Sequence, residues 1–392
     1  MSSKYFLVLF FALSFSCTHT IKVKNEKKRQ LTATHRLIAG DLKRIELDYE
    51  TAPQSPYIQM VDDTSGVQLM TFYNQHNRSI IYYDYTTGTK LGATKYEREG
   101  PNGIIQIEGY YYLNKDSIFV YTQMRWEFFL TDSDGIIKKR WSFGEERKEN
   151  GPNIRRQFVF STVMPIIKIQ DNLILTGFAL DAIPAEAIDD CPFSASLNLK
   201  TDEIKFLYNY PKEYYGFNAN WEGGAATFVY PELSPNGEII HSFPMSHNLY
   251  IAPWDSNDFR TVYAGSNYAS TIHSINSEPK NTPREVLFYH LAHEDQYMAI
   301  RYDKYRKLYY RIILHGIPGA NNSTRTVEKP ISVIVMDEHF NYMGETVIGT
   351  GEQWNWENMF VTREGLNIEY ISNDEEDEDY MIFQIFNVEK IE

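Results

Sequence analysis

The sequence predicts an all-β fold: a six-bladed β-propeller, closed by an N-terminal strand completing the C-terminal blade. Three observations predict it: an aromatic-rich composition, two signals that alternate six times along the chain, and a last repeat that runs out of residues before its fourth strand. The chain has 392 residues, with 29 Tyr and 23 Phe among them, and aromatic and β-branched side chains are what half-buried strands select. No amphipathic stretch longer than about three turns stands out at the helical period. A chain longer than one ordinary core is accommodated when short repeats stack around a ring.

The first signal is a turn followed by an alternating apolar strand. It recurs at 65–73, 115–123, 170–178, 235–243, 305–313 and 363–371, with markers Val67, Ile118, Leu173, Ile239, Leu308 and Leu366 lying 51 to 69 residues apart. The second is a hairpin turn further on in each unit, at 83–91, 130–139, 197–206, 253–262, 336–345 and, more weakly, 386–392. Asp or Asn with other turn formers between strand-like runs is hairpin chemistry. Four short strands at this period make a propeller blade. Two separate β-sandwiches would also show regular strands. Here, however, the sixth unit reaches Glu392 soon after its third strand, while "LKRIELDYE" at 42–50 precedes the first complete unit. That strand is expected to complete the last blade, which removes exposed sheet edges.

The motif "EREGPNG" at 97–103 returns as "KENGPN" at 148–153. Both fall after the outer strand of one blade and before the inner strand of the next, where Pro fixes φ and Gly accepts positive φ. A phosphate-binding loop would need the longer Gly-x4-Gly-Lys-Ser/Thr turn between a strand and a helix, which is absent.

The N-terminus reads as an export signal. Lys4 precedes an apolar run from Tyr5 to Phe15, too short to span a bilayer. Small Ser16 precedes Cys17, the order in which a bacterial lipoprotein signal ends, although Ser14 stands where Leu is usual. The expected division is a signal peptide over 1–16, a lipidated Cys17 with a polar, basic tether over 17–35, and a single propeller domain over 36–392. Only Cys17 and Cys191 are present, so with lipid on Cys17 no disulfide is expected. The expected address is the cell envelope, as an outer membrane lipoprotein.

The net charge of −14 argues against nucleic acid as a partner, since that affinity comes from clustered Lys and Arg. Chemical candidates are few. His290, His293, Glu294 and Asp295 lie close in sequence but lack the His-Glu-x-x-His pattern, and they read as polar strand and turn residues without a metal. The acidic run at 373–380 lacks the alternation and central Gly of a calcium loop and reads as a solvated hairpin. Asp189, Asp190 and Cys191 have no nearby His, so the thiol reads as a packed small residue. The inter-blade loops are richer: Arg155 and Arg156; Tyr214, Tyr215 and Trp221; Tyr268 and His273; Trp354 and Trp356. Trp, Tyr and Arg dominate binding hot spots, and large rings also plug gaps between blades.

Four stretches, "EGPNGIIQIEGYYYLNKDSIF" at 99–119, "LYYRI" at 308–312, "PISVIVMDEHFNYMGE" at 330–345 and "VTREGLNIEYI" at 361–371, resemble an uncharacterised group of exported lipoproteins of Bacteroidetes, domain of unknown function 4221. The resemblance covers nearly all of the mature chain. It implies a propeller-type fold and an exported lipoprotein, and it carries no activity and no catalytic residues. The function expected is therefore a membrane-anchored, monomeric binding or scaffolding module for a protein or glycan partner, without a cofactor. Its expected ligand-binding residues are Arg155, Arg156, Trp221, Tyr268, Trp354 and Trp356. The alternative is a glycan-active hydrolase or lyase using Glu99, Glu222 and Glu357, since propellers host both binding and catalysis.

Overall fold

The computed structural model describes residues 20–63, 66–144, 156–221, 223–321 and 323–392. Its strands form six successive antiparallel sheets, the blades of a propeller. Blade 1 holds Ile58–Asp62, Gln68–Asn74, Ser79–Asp84 and Thr89–Lys95. Blade 2 holds Gly109–Asn114, Ser117–Thr122, Glu127–Thr131 and Ile137–Ser142. Blade 3 lies within Arg156–Asn209, and blades 4 and 5 repeat the four-strand pattern over Tyr230–Tyr263 and Gln296–Thr350. All six sequence markers fall at the second strand of a blade, or one residue before it. The physical reason is burial: Gln68–Asn74, Asn172–Ala179 and Leu308–Leu314 are buried at every position, because neighbouring blades cover both of their faces.

Blade 6 consists of Trp354–Val361, Leu366–Tyr370, Tyr380–Lys390 and, as outer strand, His35–Glu46 from the other end of the chain. The register runs from His35 opposite Lys390 to Glu46 opposite Tyr380. The closing strand starts seven residues before the expected 42–50 and stops at Glu46. This pairing also explains the weak sixth hairpin signal: no turn is needed where the fourth strand arrives from elsewhere.

Residues before this strand, expected as a tether, are seated on the fold from Ile21 onward. Lys22–Val23 pairs with Ile272–His273. The Asn25 side chain donates to the carbonyls of Ser266 and Ala269 at 2.8 and 2.9 Å. Asn267 returns the grip, accepting from the Leu31 amide and donating to its carbonyl. A polar, basic composition suggested a free linker, but backbone pairing is indifferent to side-chain polarity.

Two buried polar side chains sit at the seam of blades 3, 4 and 5. Arg311, on the second strand of blade 5, is fully buried, with no carboxylate partner among the described residues. Its guanidinium donates to Ser242 Oγ and to the carbonyls of Ser246, His247 and Ala264 at 2.9–3.3 Å, and lies 4.1 Å from the Tyr297 ring centre. Burial pulls its pKa down to about 10. His241 is boxed by Phe193, Tyr208 and Phe259, and among the described residues its ring nitrogens have nothing closer to a hydrogen-bond partner than the Tyr250 backbone opposite. Burial lowers its pKa to about 3, an effect that the Tyr250 backbone opposite it only partly offsets.

His241 therefore makes the fold acid-labile. The unfolded chain takes up this proton near the ordinary His value and the folded chain does not. Stability is intact above that value and falls as pH drops from it towards the depressed folded value. At about pH 5 the loss is about 2 kcal/mol. Urea titrations of the wild type and His241→Phe at neutral pH and at about pH 5 check this: the variant should lose correspondingly less, and equal losses would refute it.

Candidate functional site

The inner strand of blade 3 is broken. Arg156–Phe158 and Ile167–Ile169 both pair with Asn172–Ala179, yet eight residues, 159–166, leave the ladder between them. Gly177 permits this course, because a Cβ there would stand 2.0 Å from the Gln157 carbonyl oxygen. The extruded segment makes a tight turn in which Ser161 and Met164 exchange backbone hydrogen bonds.

At its tip, buried Thr162 ties three other blades together. Its Oγ accepts from the Ile58 amide of blade 1 at 2.8 Å and donates to Asn358 Oδ1 of blade 6 at 2.5 Å. Its carbonyl accepts from Arg301 of blade 5. Arg301 pairs in turn with Glu232 of blade 4 at 3.1 Å. Burial raises the Glu232 carboxyl, which the neighbouring guanidinium opposes. The Asn358 amide also donates to the Ser55 carbonyl and to Glu369. These bonds place the turn across the centre of the ring, where it forms a floor.

Over that floor opens a cup of about 1090 Å³, with walls from blades 3, 4, 5 and 6 and from Pro53 and Gln54, which precede blade 1. Two inner strands bulge where they meet it. In blade 6 the register jumps from Asn355–Glu369 to Met359–Ile368, so that three residues, Trp356 to Asn358, face no partner. In blade 5 it slips between Tyr297 and Ile300, at Met298. Bulges re-aim side chains, and Trp356, Glu357 and Met298 all line the cup. The Trp356 ring meets Tyr230 edge-on at 6.0 Å, and Phe228 and Met164 extend the apolar wall.

The polar side of the cup is acidic. Glu369 is held by the Asn355 and Asn358 amides at 2.5 and 2.7 Å, and burial raises its pKa. Glu357 is open to solvent within the cup yet walled by protein, and desolvation alone pushes its carboxyl up. It has no hydrogen bond or ion pair among the described residues. Asp374 and Glu378 add charge from the loop between the second and third strands of blade 6, where Asp377 is paired with Arg44 at 3.2 Å. That loop is the acidic hairpin at 373–380; it contains a 3₁₀ turn over Glu375–Asp377, with the Asp374 carboxylate accepting from the Glu376 amide. The one lysine in the wall, Lys329, spends its ammonium on the Leu291 and Glu294 carbonyls and on Gln296 Oε1.

Of the residues expected to bind, Trp354 and Trp356 reach the cup together, with different roles. Trp354 is 6% exposed, packs edge-on against Tyr370 and Phe386, and donates its indole N–H to the Ile348 carbonyl at 2.7 Å. Trp221 is 2% exposed and donates to the Tyr214 carbonyl, inside a buried group that includes Tyr215. Tyr268 is exposed and outside the cup, on the loop that receives Asn25. Arg156 lies over the Phe206 ring at 5.4 Å, also outside it. Arg155 and Glu222 lie outside the described residues, as does the second Gly-Pro-Asn motif, whereas the first joins blades 1 and 2 as expected. Glu99 is exposed on that joint, so of the two loop acids among the described residues only Glu357 stands in the cup.

Three further candidates are placed elsewhere. Cys191 is fully buried beside blade 3. His290 and His293 belong to a helix, Arg284–His293, and not to the strand and turn that the sequence suggested. Pro283, immediately before it, fixes the helical entry. The signals for the cup floor were faint, since a lone Thr in a loop has no period to betray it.

A family model described as domain of unknown function (DUF4221) matches residues 34–347. The crystal structure of a DUF4221 family member from Bacteroides vulgatus superposes with a TM-score of 0.75 at 20% identity, covering 91% of this chain and 99% of that one. A Bacteroides fragilis protein thought to be exported superposes with a TM-score of 0.54 at 10% identity, covering 90% and 96%. No curated protein matches the chain in sequence. Among the described residues no helix is long and apolar enough to cross a membrane.

Proposed function

Since the chain belongs to the family of domain of unknown function 4221, whose description assigns no activity, we propose a function from the cup itself: an exported, lipid-anchored binding module that captures a segment of a protein partner. The observation that carries this is the blade 6 bulge, which puts Trp356 and an unpartnered Glu357 into a floored cup. A truncated aromatic anchor in such a pocket typically costs a few kcal/mol of binding. Met164, Met298 and Phe228 give the wall an adaptable apolar character suited to side chains. The carboxylates favour a cationic group beside that apolar anchor, since like charges across an interface repel. A Lys or Arg flanked by an apolar residue meets both demands. The anchor rests on the order of Lys4, the apolar run and Cys17, with an outer membrane address.

Capture from solubilised envelope, with proteins and glycans both identified by mass spectrometry, tests the reading. Trp356→Ala should weaken the captured protein by about tenfold or more with little change in melting, whereas Trp354→Ala should chiefly lower stability. A glycan recovered in place of a protein, or a partner indifferent to Trp356, would overturn the reading. Binding also carries a pH signature. The raised Glu357 carboxyl is protonated earlier on acidification than an ordinary glutamate, so affinity should fall as pH enters the mildly acid range. In Glu357→Gln, affinity should be low throughout and flatter with pH.

A further inference from the structure

We infer that the Arg284–His293 helix, together with the basic segment seated beside it, is the face this protein lays on a lipid bilayer. The inference rests on the lipid-anchor reading and adds an orientation to it. The helix stands out from the propeller with its apolar side chains uncovered: Val286 is 37%, Phe288 48% and Tyr289 42% exposed, while His290 and Ala292 turn inward. Its inner side is fixed, with His290 Nε2 at 2.6 Å from the His273 carbonyl and buried Lys329 bonded to the Leu291 and Glu294 carbonyls. A fixed helix with large apolar groups in the open has a surface still to cover.

The chain itself indicates what covers it. His273, whose carbonyl meets the helix, is also the strand partner of Lys22. Ile21 and Ser274 bond to one another beside it. The described chain thus begins next to this helix, and Cys17 lies four residues before Ile21 in the sequence. Four extended residues reach about 14 Å at most, scarcely more than the diameter of a helix with its side chains. An acyl group on Cys17 therefore forces the membrane surface to the neighbourhood of the helix.

Charge agrees. Lys22 pairs with His273 beside the helix, Lys28 meets Ser270 on the segment leading to that strand, and Lys280 and Arg284 stand just before and at the start of the helix, in a chain of net charge −14. A cationic edge with aromatic side chains between is what an interface with anionic headgroups attracts. A second copy of the chain would bring this cationic edge against itself, and the anchor gives a soluble protein no advantage at this position.

The test uses the full chain, purified with its native N-terminus and bound to vesicles of phosphatidylethanolamine with a minority of phosphatidylglycerol. A fluorophore is attached at Phe288→Cys and, separately, at Leu91→Cys, an exposed site on the outer strand of blade 1; native Cys191 is protected by burial. Nitroxide-bearing lipids should quench the label at 288 several-fold more than the label at 91. Equal quenching on a protein whose mass shows acylated Cys17 would overturn the orientation alone. A mass without acyl chains would overturn the anchor and the orientation with it. Shielding at 288 that follows protein concentration without lipid would assign the face to self-association and also overturn the proposal.

Discussion

Arg311→Met should lower the unfolding free energy by at least about 4 kcal/mol, because each buried acceptor left without a donor costs about 1–3 kcal/mol. Four such acceptors lie within 3.3 Å of this guanidinium, from Ser242, Ser246, His247 and Ala264. Three of them are backbone carbonyls that no side-chain change can remove. The positive charge is tolerated without a carboxylate because carbonyl dipoles and the Tyr297 face surround it. Lysine is a poor substitute: its point charge cannot spread five donors over a planar fork, so Arg311→Lys should fall between the two. Urea denaturation at constant m measures both changes. A methionine variant within about 1 kcal/mol of wild type would mean that the carbonyls find other donors, and the seam would then not depend on the guanidinium.

The second large effect concerns ring closure. A chain ending at Ser372 loses Tyr380–Lys390, the strand that pairs with Leu366–Tyr370 on one side and with His35–Glu46 on the other. Blade 6 is then left with two strands, and the N-terminal strand has no partner in its own sheet. This truncation should show no cooperative thermal transition. Adding a peptide of residues 379–392 should restore one, by the strand addition that sheets with a missing strand accept. A truncated chain that melts cooperatively by itself would show that five blades hold the sixth position without closure.

The fold was legible because the second strand of each blade is buried on both faces, so its apolar run survives every variation in loop length. Closure was legible for a related reason, namely a repeat that lacked its last strand. The cup was less so. Trp354 and Trp356 sit two positions apart on one strand, a spacing that puts both on the same face. Only the bulge beginning after Asn355 separates a packed ring from one lining the cup. A bulge leaves no periodic trace, and neither does the excursion of residues 159–166, whose hub is a single Thr. The helix at 284–293 was missed because its apolar residues point outward as often as inward, which erases the helical period. The docked N-terminal segment was missed because its contacts run through backbone and amide groups.

The manner of closure also sets a timetable for biogenesis. The strand His35–Glu46 leaves the ribosome well before its partner, Tyr380–Lys390, with five blades made in between. Until that partner is delivered no closed ring exists, and long-range pairings of this kind form slowly. Ring closure is therefore the late step in a chain of this design: the other blades can pair from neighbouring strands as they emerge, whereas blade 6 waits for both of its distant strands.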